Sequence, residues 1–220
     1  MKFALVGCGR IAGKHVEAIS QIKSAELVAC ADTEYAKATS VAETAGCRAY
    51  SDYRKMLDAH PEVDVVSVLT PSGMHPEHVI DITRSYRKHV IVEKPMALRL
   101  SDADEMIRAC DEAGVRLFVV KQNRFNLPVI RLRQALEAGR FGRITMGTVR
   151  VRWRRDQAYY DQAAWRGTWA LDGGVFSNQA SHHIDLLEWM LGEPVSVMAK
   201  TGTFLADIEV EDTGVAIIKF

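Results

Sequence analysis

Short apolar runs alternate with amphipathic stretches along the first 120 residues of the chain. The apolar runs, which predict strands, lie at 3–6, 26–31, 63–69, 89–93 and 115–120. Helical periodicity occupies the stretches between them, at 14–22, 34–46, 75–86 and 101–113. Continuous apolar strands that alternate with helices are typical of a parallel sheet covered on both faces. The pattern therefore predicts an α/β protein with a doubly wound sheet over residues 1–122.

The alternation stops after Val120. A helical pattern at 128–138 is followed by a long alternating segment at 143–155, a helical pattern at 176–191 and strand patterns at 194–205 and 210–220. Strands grouped without intervening helices predict an α+β domain over 123–220, with a mostly antiparallel, open sheet. Because the last strand pattern runs to Phe220 without a turn or polar tail, we expect this domain to be incomplete.

Composition narrows the class of protein. Of the 220 residues 48% are hydrophobic, which is enough for a sizeable core. The 28 basic and 28 acidic residues cancel, so neither nucleic acid nor an anionic membrane is expected as a partner. The chain has no signal-peptide pattern and no apolar run long enough to span a bilayer, and we expect a cytoplasmic protein. The four cysteines show no paired spacing, which favours reduced thiols.

The first strand pattern runs directly into a glycine loop, GCGRIAG at 7–13. Gly7 permits a tight turn, Gly9 lets the backbone approach a pyrophosphate, and Arg10 and Ile11 lead into a helix whose first amides face the anion. Asp32 ends the second strand, where a carboxylate binds the ribose hydroxyls of a dinucleotide. Thr33 and Glu34 follow it and no arginine is adjacent, so the sequence predicts NAD rather than NADP.

Two further segments follow strand ends, where open α/β sheets bind ligands. The loop TPSGMHPEH at 70–78 offers Thr70, Pro71, Ser72 and His75 to the cofactor, whereas His78 is more typical of a solvated helix. In VEKPM at 92–96 the proline holds the preceding residue extended. Glu93 and Lys94 are therefore candidates for contact with cofactor and substrate.

The stretch NQASHHIDLLEW at 178–189 carries a polar face. On a helix Asn178, His182 and Asp185 share that face, while His183 lies beside the apolar one and is a packing residue. No other His or Cys has zinc-ligand spacing to this helix, so no metal is expected. Acid–base chemistry is the remaining interpretation.

The segment RVRWRR at 150–155 alternates as a strand would. Arg150, Arg152 and Arg154 would then point one way, with Val151, Trp153 and Arg155 on the opposite face. Three guanidinium groups could bind a nucleotide diphosphate and a carboxylate. A solvated sheet face with acidic neighbours is an equally open alternative.

The motifs GCGRIAG, TPSGMH, EKP and NQASHHIDLLEW, in this order, resemble the glucose–fructose oxidoreductase and inositol dehydrogenase family, called Gfo/Idh/MocA. The resemblance covers the whole chain and implies oxidation of a ring hydroxyl with a nicotinamide cofactor. It implies Lys94 and His182 as the catalytic pair and a cis bond between Lys94 and Pro95. Asn178 stands where many members carry an aspartate, so it can orient a hydroxyl but cannot relay a proton.

Two segments, KQNRFNLPV at 121–129 and YYDQAAWRGTWALDGGVFSNQ at 159–179, are similar to UDP-N-acetyl-glucosaminuronate 3-dehydrogenases of surface-polysaccharide synthesis. This likeness implies that Gln122, Trp165 and Arg166 contact the cofactor, and that Gly173 and Gly174 let the backbone close on the ligand. It implies a UDP-sugar substrate. The likeness and the arginine face together give Lys94, Arg152, Arg154, Asn178 and His182 as the predicted substrate contacts.

The main hypothesis is therefore an NAD-dependent dehydrogenase that oxidises C3 of UDP-N-acetyl-glucosaminuronate. A dehydrogenase of a free sugar or inositol is the alternative within the family, and an inactive NAD-binding sensor or assembly partner is the alternative outside catalysis. Because sheets of this family associate through their open face, we expect a homo-oligomer formed through residues 195–220.

Overall fold

The computed structural model describes all 220 residues, in two compact units, Met1–Val120 and Lys121–Phe220. Each unit has its own secondary structure and is described separately.

Unit 1 is a six-stranded parallel sheet with helices between its strands. Its elements are β1 (Lys2–Val6), α1 (Ala12–Ser20), β2 (Glu26–Ala31), α2 (Tyr35–Ala45), β3 (Arg48–Tyr50), α3 (Tyr53–Ala59), β4 (Val65–Val68), α4 (His75–Tyr86), β5 (His89–Val92), α5 (Leu100–Ala113) and β6 (Leu117–Val119). The strand order is β3-β2-β1-β4-β5-β6, and every neighbouring pair is parallel. The predicted doubly wound α/β fold is confirmed.

The core of unit 1 explains why the apolar runs became strands. Val66, Val68, Val90 and Val92 of the adjacent strands β4 and β5 are completely buried, and one cluster joins them to Ile82 of α4. A second cluster packs α1 and α2 on the opposite face of the sheet. Full burial of such a side chain contributes about 1.5–3 kcal/mol, so strands covered on both faces carry most of the stabilisation.

The apolar pattern did not reveal β3 and α3. Strand β3 has three residues, Arg48–Tyr50, none of them fully buried, so it contains no apolar run. Helix α3 begins after Asp52, whose side chain accepts hydrogen bonds from the amides of Arg54 (2.8 Å) and Lys55 (3.4 Å). An aspartate at this position is a typical helix start signal.

Unit 2 is less regular. It contains a 3₁₀ turn (Gln122–Phe125), α6 (Leu127–Glu137), α7 (Gln157–Tyr160), a π-helical turn (Val175–Gln179), α8 (Ser181–Leu191), β7 (Ser196–Gly202) and β8 (Thr213–Lys219). Strands β7 and β8 form an antiparallel pair in which Met198 faces Ile217. No helix of the protein is both long and apolar enough to cross a membrane.

The strand predicted at 143–155 is wrong, because this segment has no regular secondary structure. A strand requires ladder hydrogen bonds to a neighbour, and the only sheet of unit 2 consists of β7 and β8. The segment instead passes against α8: a Cβ added to Gly147 would lie 2.9 Å from Leu191 Cδ1. The inference that Arg150, Arg152 and Arg154 share one strand face therefore loses its basis.

The helix predicted at 176–191 is divided. Ala180 separates the π-helical turn from α8, and its amide bonds to the carbonyl of Val175 (2.8 Å). Asn178 therefore lies on the turn, while His182 and Asp185 lie on the helix. The three residues do not form one continuous helical stripe.

Candidate functional site

The glycine loop after β1 requires Gly7 for two reasons. Its φ is +96°, a left-handed value that side chains disfavour, and a Cβ would lie 2.8 Å from the carbonyl carbon of Leu69. The amide of Gly7 donates to the carbonyl of Ala31 (2.8 Å). The loop is therefore held between the ends of β2 and β4.

The space beside Gly9 and the start of α1 fits an anionic group. A Cβ added to Gly9 would meet no heavy atom within 4 Å. Arg10 is exposed, Ile11 is the residue that precedes the helix, and no side chain caps the first turn of α1. The amides of Ala12 and Lys14 donate to the carbonyls of Gly9 and Ile11, and the other backbone amides of this turn can bind a pyrophosphate, whose charge the helix dipole favours.

Asp32 is fixed at the end of β2 by the backbone. One carboxylate oxygen accepts from the amide of Cys8 and the other from the amide of Glu34, both at 2.8 Å. The side chain is only partly buried. A carboxylate in this position can still accept hydrogen bonds from ribose hydroxyls and repels an added phosphate.

His75 links the loop after β4 to the EKP segment. Its Nε2 lies 2.8 Å from the carbonyl of Thr70 and its Nδ1 2.8 Å from that of Pro95. The ring is 1% exposed, and burial lowers the pKa of His75. Its contacts hold the Thr70, Pro71 and Ser72 loop in place, and its direct contact with the cofactor stays a prediction.

Glu93 connects the end of β5 to α1. Its carboxylate lies 3.0 Å from His15 Nε2 and accepts from the amide of Lys94 (3.1 Å). Burial alone would raise the pKa of Glu93, but the hydrogen bonds and charges of His15 and Lys94 together outweigh it and lower that pKa. Lys94 is partly buried beside this pair, and its bond to Pro95 is cis, as the resemblance implied.

In unit 2, the side chain of His182 on α8 contacts Gln122 of the 3₁₀ turn. Gln122 Nε2 lies 3.1 Å from His182 Nε2. An amide nitrogen can only donate, so this contact is a hydrogen bond when His182 Nε2 carries no proton. A neutral imidazole with a lone pair on Nε2 can take up a proton.

An ion pair fixes Gln122 relative to α8. Asp185, which is 7% exposed, accepts from Arg124 Nε (2.8 Å) and from a terminal nitrogen of the same guanidinium (2.7 Å). The hydrogen bond to Asp185 raises the pKa of Arg124. Arg124 belongs to the same 3₁₀ turn as Gln122, so this bidentate pair sets the distance from Gln122 to His182.

Asn178 is held by a buried carboxylate. Asp172 is 2% exposed, accepts from the amide of Gly167 (2.7 Å) and accepts a hydrogen bond from Asn178 Nδ2. Because an ionised carboxylate can only accept, the amide group of Asn178 must turn its nitrogen towards Asp172. This contact fixes which end of the Asn178 amide faces away from Asp172.

Aromatic rings surround Arg166. Its guanidinium lies 4.7 Å from the ring centroid of Trp165 and 4.5 Å from that of Tyr159, and it donates to the Tyr159 hydroxyl (2.5 Å).

Arg152 and Arg154, by contrast, are exposed side chains of the irregular segment. No group of three or more His, Cys, Asp or Glu residues is placed to hold a metal ion.

Four residues that hold candidate residues of their own unit in place were not predicted from the sequence: His15 in unit 1, and Arg124, Tyr159 and Asp172 in unit 2. His15 faces Glu93 from 78 residues away, and no local pattern signals that contact. Arg124 and Asp172 lie inside KQNRF and LDGG, segments quoted for their resemblance alone. A charged residue next to a glycine pair or inside a tight turn was the available signal.

The two regions of the chain match the two domains of one family. Residues 1–121 match the oxidoreductase family with an NAD-binding Rossmann fold, and residues 129–220 match the GFO/IDH/MocA C-terminal domain. The myo-inositol 2-dehydrogenase of Thermotoga maritima is 31% identical over 226 residues, which cover 100% of this chain and 65% of that protein.

Solved structures give a closer match. WlbA dehydrogenase from Chromobacterium violaceum, in complex with NADH and UDP-GlcNAcA, is 47% identical with a TM-score of 0.95. The corresponding complex from Bordetella pertussis is 49% identical with a TM-score of 0.94. All of this chain is covered in both, but only 64% and 65% of those chains.

The chain thus spans slightly less than two thirds of the length of these relatives. The glycine loop, Asp32 and the strand order are those expected of a dinucleotide-binding sheet, and both family domains match in sequence. The chain belongs to the GFO/IDH/MocA oxidoreductase family and contains its NAD-binding Rossmann fold.

Proposed function

We propose that this chain is part of an NAD-dependent dehydrogenase that oxidises C3 of UDP-N-acetyl-glucosaminuronate. The observation that carries the proposal is the whole-chain similarity, at 47% and 49% identity, to two WlbA dehydrogenases solved with NADH and UDP-GlcNAcA. Similarity at this level extends through both units, and so includes the segments that carry Lys94, Asn178 and His182.

The proposed NAD contacts begin with the glycine loop and Asp32. Gly7 and Gly9 shape the loop around the pyrophosphate, and Asp32 accepts from the adenosine ribose. NAD supplies the acceptor for the hydride that leaves the sugar carbon. The further proposed contacts are Arg10, Ile11, Thr70, Pro71, Ser72, His75, Glu93, Lys94, Gln122, Trp165 and Arg166.

In this proposal His182 takes the proton of the reacting hydroxyl. The Gln122 contact at Nε2, which an unprotonated ring nitrogen accepts, supports that role. Lys94 stabilises the developing alkoxide by its charge, and Asn178, oriented by Asp172, positions a hydroxyl. Arg152 and Arg154 remain proposed substrate contacts on the strength of their charge alone.

A dehydrogenase of free inositol is the second candidate. It is favoured by the curated relatives, since inositol dehydrogenases from Thermotoga maritima and Rhizobium meliloti are 31% and 32% identical. Those identities are lower than the ones to the WlbA structures, and we therefore rank it second. A sensor that binds NAD without turnover is the third.

Association through the C-terminal sheet is also part of the proposal. Val197, Met198, Val215 and Ile217 of β7 and β8 are each at least 65% exposed. Apolar side chains on an exposed two-stranded sheet favour contact with a second copy. We propose a homo-oligomer that buries this sheet.

A thermal-shift panel tests the proposal. The protein is heated with NADH alone and then with NADH plus UDP-N-acetyl-glucosaminuronate, UDP-N-acetylglucosamine or myo-inositol. A ligand that binds only the folded state raises the melting temperature by mass action. The proposal requires the largest shift from the uronate, whereas a larger shift from myo-inositol supports the second candidate.

A further inference from the structure

Two arginines of unit 2 share one tyrosine ring. The guanidinium of Arg155 lies 4.5 Å from the ring centroid of Tyr159 and 4.2 Å from that of Trp153. The guanidinium of Arg166 also lies 4.5 Å from the Tyr159 centroid. The two positive groups are therefore at most about 9 Å apart, with the ring as their common support.

No acidic residue neutralises this pair. Neither Arg155 nor Arg166 forms an ion pair with a carboxylate of the chain, and the Nε atom of each is buried without a hydrogen-bond partner. The only side-chain hydrogen bond between the pair and the protein is the one that the Arg166 guanidinium donates to the Tyr159 hydroxyl. Most of the donors of two guanidinium groups thus have no protein acceptor.

Stacking on an aromatic ring does not by itself explain why Arg155 and Arg166 lack a carboxylate partner, as other stacked arginines of unit 2 show. Arg124 and Arg133 both stack on Trp189, at 5.2 and 5.1 Å, and each also has a carboxylate partner, Asp185 and Glu137 respectively. Buried charge without a partner costs free energy. An arginine pair that lacks an acid is therefore suited to an anion supplied by a ligand.

We infer that Arg155 and Arg166, held on Tyr159, form a binding site for an oxyanion of a ligand. The guanidinium fork matches phosphate and carboxylate oxygens, and two forks a short distance apart match a diphosphate. If the proposed function holds, on which the choice of ligand rests, the oxyanion is the diphosphate or the carboxylate of the UDP-uronate, or a phosphate of NAD, for which Arg166 is already a proposed contact. Arg155 then contacts the anion, whereas the alternating pattern of 150–155 had predicted this role for Arg150, Arg152 and Arg154.

Arg155→Met tests the site, because methionine keeps an apolar stem against the rings and removes the charge. Arg143→Met is the matched control, since Arg143 is an exposed arginine of the same irregular segment. Binding of UDP, glucuronate and NADH to the 220-residue chain is measured by calorimetry. We expect Arg155→Met to weaken UDP binding at least about tenfold, the equivalent of about 1.4 kcal/mol, with Arg143→Met unchanged.

Arg155→Lys is a control for a folding defect. It keeps the positive charge and loses the two-pronged geometry of the guanidinium group. We expect UDP affinity between that of the parent and that of Arg155→Met. A loss confined to glucuronate or to NADH would also support the oxyanion site and would identify the carboxylate or the cofactor phosphates as its source. Equal binding of all three ligands by Arg155→Met, Arg143→Met and the parent would overturn the inference. These measurements need no turnover, so they stand even if the proposed oxidation is wrong.

Discussion

The two units hold their proposed site residues in different ways. In unit 1 backbone contacts hold the proposed site residues: Gly7 is fixed between two strand ends, and both oxygens of Asp32 accept hydrogen bonds from backbone amides. In unit 2 side chains hold one another, as in the pairs Gln122 with His182 and Asp172 with Asn178. The first arrangement follows from the fold, whereas the second depends on individual residues.

The two units also differ in how much apolar surface their cores bury. Unit 1 buries whole strands, while the only buried hydrophobic residues of unit 2 are Tyr160, Ala180 and Val210. Buried polar groups such as Asp172 and Asp185 thus carry a larger share of the organisation of unit 2. We therefore expect substitutions of polar residues to affect the geometry of unit 2 more than that of unit 1.

The largest effect on kcat is expected at Lys94, because its substitution removes a proposed catalytic group without a change in packing. Lys94→Met keeps the side-chain length and deletes the ammonium group. With a confirmed substrate, kcat should fall about 10³-fold while the affinity for NADH changes little. Steady-state kinetics and NADH titration measure both, and near-parental kcat would exclude the proposed role of Lys94.

The next effect concerns the side-chain network of unit 2. Asp172→Asn leaves one side-chain acceptor for two donors, the Gly167 amide and Asn178 Nδ2, and turns an NH₂ group towards one of them, at a cost of about 1–3 kcal/mol. We expect a lower free energy of unfolding and a lower kcat in this variant.

The double variant Asp172→Asn with Asn178→Asp is the control for that prediction. It restores one amide and one carboxylate with their positions exchanged, so part of the lost kcat and stability should return. If the double variant is no better than the sum of the two single changes, the Asp172–Asn178 contact does not position Asn178.

A smaller effect is expected at Asp32 of unit 1. Asp32→Ala removes the ribose acceptor and the charge that repels a 2′-phosphate, so NAD should bind about tenfold more weakly and the preference against NADP should shrink. Competitive titration with both cofactors measures the ratio. An unchanged ratio would remove Asp32 from the cofactor assignment.

The smallest effect is a pH dependence from Glu93. Its pKa is lowered in the folded protein, so its contribution to stability is present above the ordinary glutamate pKa and is lost as the pH falls through the folded value. Unfolding midpoints measured at successively lower pH should fall more steeply for the parent than for Glu93→Gln. Parallel curves would show that the Glu93–His15 contact contributes nothing to folding.

The same difference between units explains what could be predicted from sequence. The buried strands and the glycine loop of unit 1 have local signatures, and so β1, β2, β4, β5 and β6 were all predicted. The segment 143–155 has a strand signature too, but a strand depends on a partner that the segment itself cannot specify.

Local sequence patterns could not predict the long-range side-chain pairs of either unit. The His15–Glu93 and Gln122–His182 contacts join residues 78 and 60 positions apart. His182 was identified from its helix and the family resemblance, but its partner was assigned to the cofactor instead. Such pairs follow only from the three-dimensional arrangement of turns and helix ends.

The most direct test of the central claim is the formation of NADH when the chain is given NAD and UDP-N-acetyl-glucosaminuronate. The proposed function predicts that NADH absorbance rises with this substrate, that it rises far less with myo-inositol, and that His182→Asn abolishes the rise. A faster reaction with myo-inositol than with the UDP-uronate, or an undiminished rate in His182→Asn, would contradict it.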